Sequence, residues 1–159
     1  NWDWNLEATN AGLGLDCNNA HVQPNGKYHY HGIPENYLRN IASELTEMLL
    51  LGYAADGFPI YYQYGYINSE LSLLNSSYVL KSGNRSGNGI DEPCGTYNGV
   101  YTADYEYIEG LGDLDECNGY EGFTPEYPNG TYYYVLTEAY PGIPRCFKGI
   151  PSQDFRMGN

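Results

Sequence analysis

Positive charge is scarce in this chain. Lys and Arg together number 7 against 20 Asp and Glu, a net charge of −13 over 159 residues. Nucleic acid and anionic membrane surfaces both require a basic face, so the composition argues against both as partners. Long apolar runs are missing too. Met48-Leu49-Leu50-Leu51 falls far short of the roughly 20 residues that a membrane-spanning helix needs. There is no Gly-x-Ser-x-Gly elbow, phosphate loop, dinucleotide fingerprint or His-Glu-x-x-His, so the common hydrolase, kinase and dehydrogenase motifs find no support. No Cys-x-x-Cys occurs, which argues against a zinc ribbon. Histidine is limited to 3 residues, all between positions 21 and 31.

The chain is rich in the residues of turns and short strands: Gly 20, Pro 9 and Tyr 19. The length fits one domain, residues 1–159, able to bury roughly 70% of its unfolded surface. The expected fold is α+β and mostly β: short antiparallel strands and hairpins, pseudo-repeated, with one or two helices and disulfide staples. Four cysteines in an acidic, Lys-poor chain suggest two disulfides and an oxidising compartment. The chain starts at Asn1 with no signal peptide, which reads as a mature, processed product. Asn75-Ser76-Ser77, Asn84-Arg85-Ser86 and Asn129-Gly130-Thr131 are acceptor sequons for glycans. The expected location is extracellular or on the cell surface.

The densest signal is His21-Val22-Gln23-Pro24-Asn25-Gly26-Lys27-Tyr28-His29-Tyr30-His31. Pro presets the first position of a turn and Gly takes a left-handed one, so Pro24-Asn25-Gly26 suits a three-residue hairpin loop. That loop pairs Gln23 with Lys27, Val22 with Tyr28 and His21 with His29. Opposed residues share a sheet face, as do residues two apart on one strand. His21, His29 and His31 then face one way, and Tyr28 and Tyr30 the other. A two-residue Asn25-Gly26 turn would shift the register by one and move His21 to the tyrosine face. Three convergent imidazoles suit Zn or Cu. The competing reading is that His29 and His31 merely pack in an aromatic sheet. Clustering of all three histidines favours ligands.

Asn1 to Leu6 alternates as a short strand with both Trp on one face, within an N-terminal arm of residues 1–10. Leu38, Ile41, Leu45, Met48 and Leu49 recur at helix spacing and predict a helix over 36–50, ended by Gly52. Tyr53 to Tyr66 reads as strand and turn, with the turn at Asp56-Gly57. Leu71 to Leu80 reads as a second short helix running into a strand, and Ser82 to Gly99 as a loop tied down by Cys94. Val100 to Ile108 and Tyr132 to Thr137 read as strands.

A cryptic repeat is present. Gly12-Leu13-Gly14-Leu15-Asp16-Cys17-Asn18 echoes Gly110-Leu111-Gly112-Asp113-Leu114-Asp115-Glu116-Cys117-Asn118, Pro24-Asn25-Gly26-Lys27-Tyr28-His29-Tyr30 echoes Pro128-Asn129-Gly130-Thr131-Tyr132-Tyr133-Tyr134, and Gly32-Ile33-Pro34 echoes Gly142-Ile143-Pro144. Two copies of one hairpin would pack as a pseudo-symmetric pair. Tyr133 stands where the first copy has His29, so one copy reads as scaffold and the other as site. Four cysteines allow three pairings. With Cys17 and Cys117 taken as equivalent, and only the second copy continuing into Cys146, the favoured set is Cys117–Cys146 with Cys17–Cys94.

Two acidic features compete for metal roles. Asp56 is either a turn residue before Gly57 or a fourth ligand or partner to an imidazole. Asp113, Asp115 and Glu116 are a candidate Ca²⁺ cluster, but they lack an EF-hand pattern and a solvated acidic turn is favoured. Asp16 is expected to cap its own turn through backbone hydrogen bonds.

Gly14-Leu15-Asp16-Cys17-Asn18, Pro24 to His31, Gly52-Tyr53-Ala54-Ala55-Asp56-Gly57-Phe58-Pro59-Ile60-Tyr61, and Asp113 to Gly119 through Pro144-Arg145-Cys146-Phe147-Lys148-Gly149 resemble the YHYH-domain family. The resemblance spans most of the chain. It implies a secreted or surface domain, and names no reaction. Three function classes follow: a non-catalytic extracellular metal-binding module, a self-assembling subunit of a filament or surface layer, and a metalloenzyme with a three-His Cu or Zn site acting on a small or glycan substrate. Excess tyrosine favours interfaces, and the aromatic N-terminal strand would suit pairing with a neighbour's sheet edge. The first two classes merge into the favoured expectation: a secreted, glycosylated, metal-binding structural domain whose partner is itself.

Overall fold

Turns rich in glycine and asparagine break the chain into β1 (Ala20–Val22), β2 (Tyr28–Tyr30), α1 (Glu35–Ile41), β3 (Leu49–Tyr53), β4 (Pro59–Tyr62), β5 (Tyr64–Ile67), β6 (Glu70–Leu73), β7 (Tyr78–Leu80), β8 (Tyr105–Tyr107), β9 (Gly119–Gly122) and β10 (Thr131–Leu136). The 3₁₀ turns Thr102–Asp104 and Gln153–Phe155 lie among them. The architecture comes from a computed structural model that describes residues 4–155. Among these residues it is mostly β with one α-helix, as the composition predicts.

The centre is a four-stranded sheet in the order β3-β4-β10-β9. β10 reads Thr-Tyr-Tyr-Tyr-Val-Leu and is buried along almost its whole length. Its period of 2 serves two faces. Tyr133 and Val135 pack with Met48, Tyr61, Leu74 and Leu114. Tyr132 and Tyr134 pack with Cys117 and Phe58, and Leu136 with Ile33, Leu38 and Tyr62. A strand buried on both faces sits inside a sheet, and β10 lies between antiparallel β9 and parallel β4. The parallel pair joins segments some 70 residues apart, so no hairpin turn announces it. The remaining strands form two-stranded ribbons, β1-β2, β5-β6 and β7-β8.

Several local expectations change. The helix predicted over 36–50 stops at Ile41, and Ala42 is already extended. Leu49 to Tyr53 instead pairs with β4. Met48 and Leu50 reach one core cluster, Leu49 and Leu51 another. This is alternation of period 2, and strand pairing overrides the helical spacing. The second predicted helix, from Leu71, is absent. Glu70 to Leu73 pairs with Tyr64 to Ile67 across Asn68-Ser69, whose φ values of 51° and 68° make a tight hairpin turn. Of Val100 to Ile108, only Tyr105–Tyr107 is strand. The Asp56-Gly57 turn forms as expected, with the Gly57 N–H donating to Ala54 O at 2.9 Å.

Of the N-terminal arm, Asn1 to Asp3 lie outside the described residues, so the shared face of the two Trp residues does too. The rest is not a free edge strand. Leu6 bridges Tyr101, Thr102 N–H donates to Asn5 O and Glu7 N–H to Val100 O, so the arm is paired with its own chain.

The long loop over 82–99 is organised by charge. Arg85 and Asp104 are both buried and joined by two bonds, Nε to Oδ1 at 2.7 Å and Nη2 to Oδ2 at 2.6 Å. Arg85 also donates to Cys94 O and to Asn98 Oδ1, and Gly99 N–H donates to Asp104 Oδ2. The expected Cys17–Cys94 bridge does not form. Both are free, exposed thiols, and only Cys117–Cys146 is bonded. Cys94 belongs to the Arg85 loop, whereas Cys17 accepts from Asn36 Nδ2 at the start of α1.

Burial acts to raise the Asp104 pKa, but Arg85 and the amides of Tyr101 and Asn98 outweigh it, and the carboxyl is held below its usual range. A depressed carboxyl stabilises the fold above the unfolded value of about 4 and loses that contribution as pH falls through the folded value. Asp104→Ala should cost about 3–5 kcal/mol, by stranding a buried guanidinium. Urea unfolding at pH 7 checks this, and the variant's stability should fall less steeply than the wild type's below pH 4.

Candidate metal centre

The hairpin forms in the register that places all three histidines together. Gln23 N–H donates to Lys27 O at 2.9 Å and Gly26 N–H to Gln23 O at 2.8 Å, closing Pro24-Asn25-Gly26 as a three-residue loop. Gly26 takes φ +84°, a left-handed value that suits glycine. His21 then opposes His29. Beyond β2, His31 N–H donates to Asn19 O at 2.7 Å, which carries the pairing one step further and holds His31 on the same face.

The three rings meet through Nε2. His31 Nε2 lies 2.8 Å from His29 Nε2 and 3.2 Å from His21 Nε2. The ligand atoms of all three fall within 4.8 Å of one another, and each ring is half-buried. Zn–N bonds of about 2.0–2.1 Å place tetrahedral ligand nitrogens roughly 3.3 Å apart, so the spacing suits such an ion. In a neutral ring Nε2 is either one donor or one acceptor, so His31 Nε2 can bond only one of the two Nε2 atoms beside it. Burial, then the neighbouring His29 and His21, lowers the His31 pKa from the usual histidine value. The neutral form is the one that binds a metal.

The opposite face carries Tyr28 and Tyr30 edge to face, centroids 5.4 Å apart. Tyr28 Oη donates to Asp16 Oδ2 at 2.7 Å, and Asp16 Oδ1 accepts the N–H groups of Asn18 and Ala20. Asp16 therefore caps its turn as expected, and its pKa is lowered by the Tyr28 bond and then the Asn18 amide.

The second hairpin repeats this construction. Asp115 Oδ1 accepts from the N–H groups of Cys117 and Gly119, and Tyr132 Oη donates to the same carboxylate. Asn19 and Asn118 share a positive φ, 53° and 58°. These bonds align Asp16 with Asp115 and Asn18 with Cys117, so Cys17 corresponds to Glu116 and not, as the sequence echo suggested, to Cys117. The two hairpins also lie in separate sheets. In the second copy Tyr120 and Tyr133 stand at the positions of His21 and His29. Tyr133 is fully buried, so that face is core.

The remaining candidates go elsewhere. Asp56 is not grouped with the histidines. Its Oδ2 accepts from Tyr134 Oη at 2.5 Å and Gly149 N–H at 3.0 Å, on the Phe58–Tyr134 side of the sheet. Asp113, Asp115 and Glu116 do not converge as a Ca²⁺ site. Asp113 accepts from Asn75 and Asp115 from its turn, and among the described residues His21, His29 and His31 are the one cluster of three or more metal-binding side chains. Asn75, Asn84 and Asn129 are all exposed, Asn129 in the loop between β9 and β10.

Sequence reasoning did not find the surroundings of His31. His31 lines a cavity of about 360 Å³ shared with Glu7, Asn19, Glu138, Tyr105 and Tyr140. With His31 they come from five separate stretches of chain, and no local pattern joins them. No helix among the described residues is long and apolar enough to cross a membrane.

Adding one Thr between Val22 and Gln23 should keep the loop but turn His21 to the tyrosine face. Cobalt(II) affinity should fall at least tenfold by visible absorption titration, with the near-UV circular dichroism of the tyrosine core retained.

A family model described as YHYH protein matches residues 1–149. No curated protein and no solved structure matches the chain.

Proposed function

The chain belongs to the YHYH protein family, and from that premise we propose that it is a secreted, glycosylated domain that holds one Zn or Cu ion on His21, His29 and His31 and acts as a structural or interaction module. The observation that carries the metal is the meeting of three Nε2 atoms, with His31 2.8 Å and 3.2 Å from its two partners. The Cys117–Cys146 bond supports an oxidising compartment. Exposed sequon asparagines support glycan attachment, and exposed tyrosines such as Tyr28, Tyr30, Tyr37 and Tyr53 support self-association.

A metalloenzyme reading draws on one further feature. Three protein ligands leave a coordination position free, and His31 borders a polar cavity that would admit a small substrate to it.

Elemental analysis of the unreduced protein, with sedimentation velocity, tests the proposal. The wild type should carry close to one Zn or Cu per chain, and His29→Ala should lose it. Large assemblies would favour the structural role, and a metal-loaded monomer the enzyme. Absence of transition metal from the wild type after incubation with both ions would reduce the histidines to packing residues.

A further inference from the structure

The cavity beside His31 is lined by several acidic residues. Glu7, Glu35 and Glu138 contribute carboxylates, and among the described residues no Lys or Arg lines it. One wall is the Tyr105–Tyr140 pair, stacked with centroids 3.6 Å apart. Glu7 is the unusual member. Its side chain is only 5% exposed, and Arg145 Nη2 bonds to Oε2 at 2.5 Å. Oε1 is buried and accepts no hydrogen bond. A buried acceptor without a donor is rare in a native protein and commonly marks the place of a missing water, ion or ligand group. Burial also raises the Glu7 pKa, against the pull of Arg145, as expected of a carboxylate short of a donor.

We propose that this cavity binds a small organic cation, its ammonium group held by Glu7 and Glu138 and its other end directed to the metal at His31. The last element rests on the metal reading above. The cavity of about 360 Å³ lies near the lower end of ligand sites, which run from about 300 to 1,000 Å³, so the ligand is of amino-acid size. Three glutamates along the lining, in a chain of net charge −13, disfavour carboxylates and phosphates. An ammonium brings three donors and supplies the one that Glu7 Oε1 lacks.

Three four-carbon probes that differ only in their end groups test this: butane-1,4-diamine, butane-1,4-diol and succinate. Each is titrated calorimetrically into metal-free and cobalt(II)-loaded full-length protein, and cobalt uptake is measured separately by absorption. The diamine should bind at least tenfold more tightly than the diol, with no binding of succinate. Glu138→Gln, at the exposed rim, should weaken the diamine severalfold. Glu7→Gln, which keeps an acceptor for Arg145, should weaken it at least tenfold. In the loaded protein the diamine should shift the cobalt spectrum. Equal binding of diamine and diol, or diamine binding unmoved in both variants, overturns the proposal even if cobalt loads normally. Diamine binding in a protein that takes up no cobalt would keep the cavity and remove the metal reading.

Discussion

Everything at the candidate site depends on the closure of one hairpin loop. The bond from Gln23 N–H to Lys27 O, with the loop it closes, sets which residue of β1 faces which residue of β2. Side chains alternate with period 2, so a slip of one residue would trade the His21 ring for the tyrosine face. The three-residue loop, with Gly26 in the left-handed region, selects the register in which His21 opposes His29. The Asn19–His31 bond then extends the pairing, and without it His31 would lie past the end of a three-residue strand with nothing to aim it.

The same hairpin is built twice and used in two ways. An aspartate closes the turn, an asparagine with positive φ follows, and a tyrosine hydroxyl binds the aspartate. In β9-β10 the resulting face is covered by the sheet core, and Tyr120 and Tyr133 fill it. In β1-β2 the ribbon stands apart from the central sheet, its face is half-open, and histidines occupy it. A buried face rewards apolar area, whereas a half-open face gives imidazoles both access and partial desolvation.

Charge takes over a task that covalent chemistry was expected to perform. The loop over 82–99 is held by the Arg85–Asp104 pair, which gathers Cys94, Asn98 and Gly99 around it. A second ion pair, Arg145–Glu7, joins the N-terminal arm to the segment just before Cys146 and stands behind the His31 cavity. In a chain with so few cations, two are committed to well-buried carboxylates, and these hold long segments that contain little regular structure.

What could be read from the sequence was local. The Pro24-Asn25-Gly26 loop, the shared face of the histidines, the Asp16 cap and the strand at Tyr132 depend on turn chemistry and side-chain alternation within about ten residues. The repeat also points to the Cys117–Cys146 bond, although Cys17 aligns with Glu116 and not with Cys117. What only the tertiary structure decided was the fate of segments whose local signals were ambiguous or silent. Met48 to Leu51 fits a helix as well as a strand until β4 lies beside it. Asp56 was a plausible ligand until Tyr134 and Gly149 claimed its oxygen. The β4–β10 pair, the Arg85–Asp104 bond, the separation of Cys17 from Cys94 and the cavity around Glu7 all join residues distant in sequence. Their placement follows from burial and pairing across the whole chain, which no short window contains.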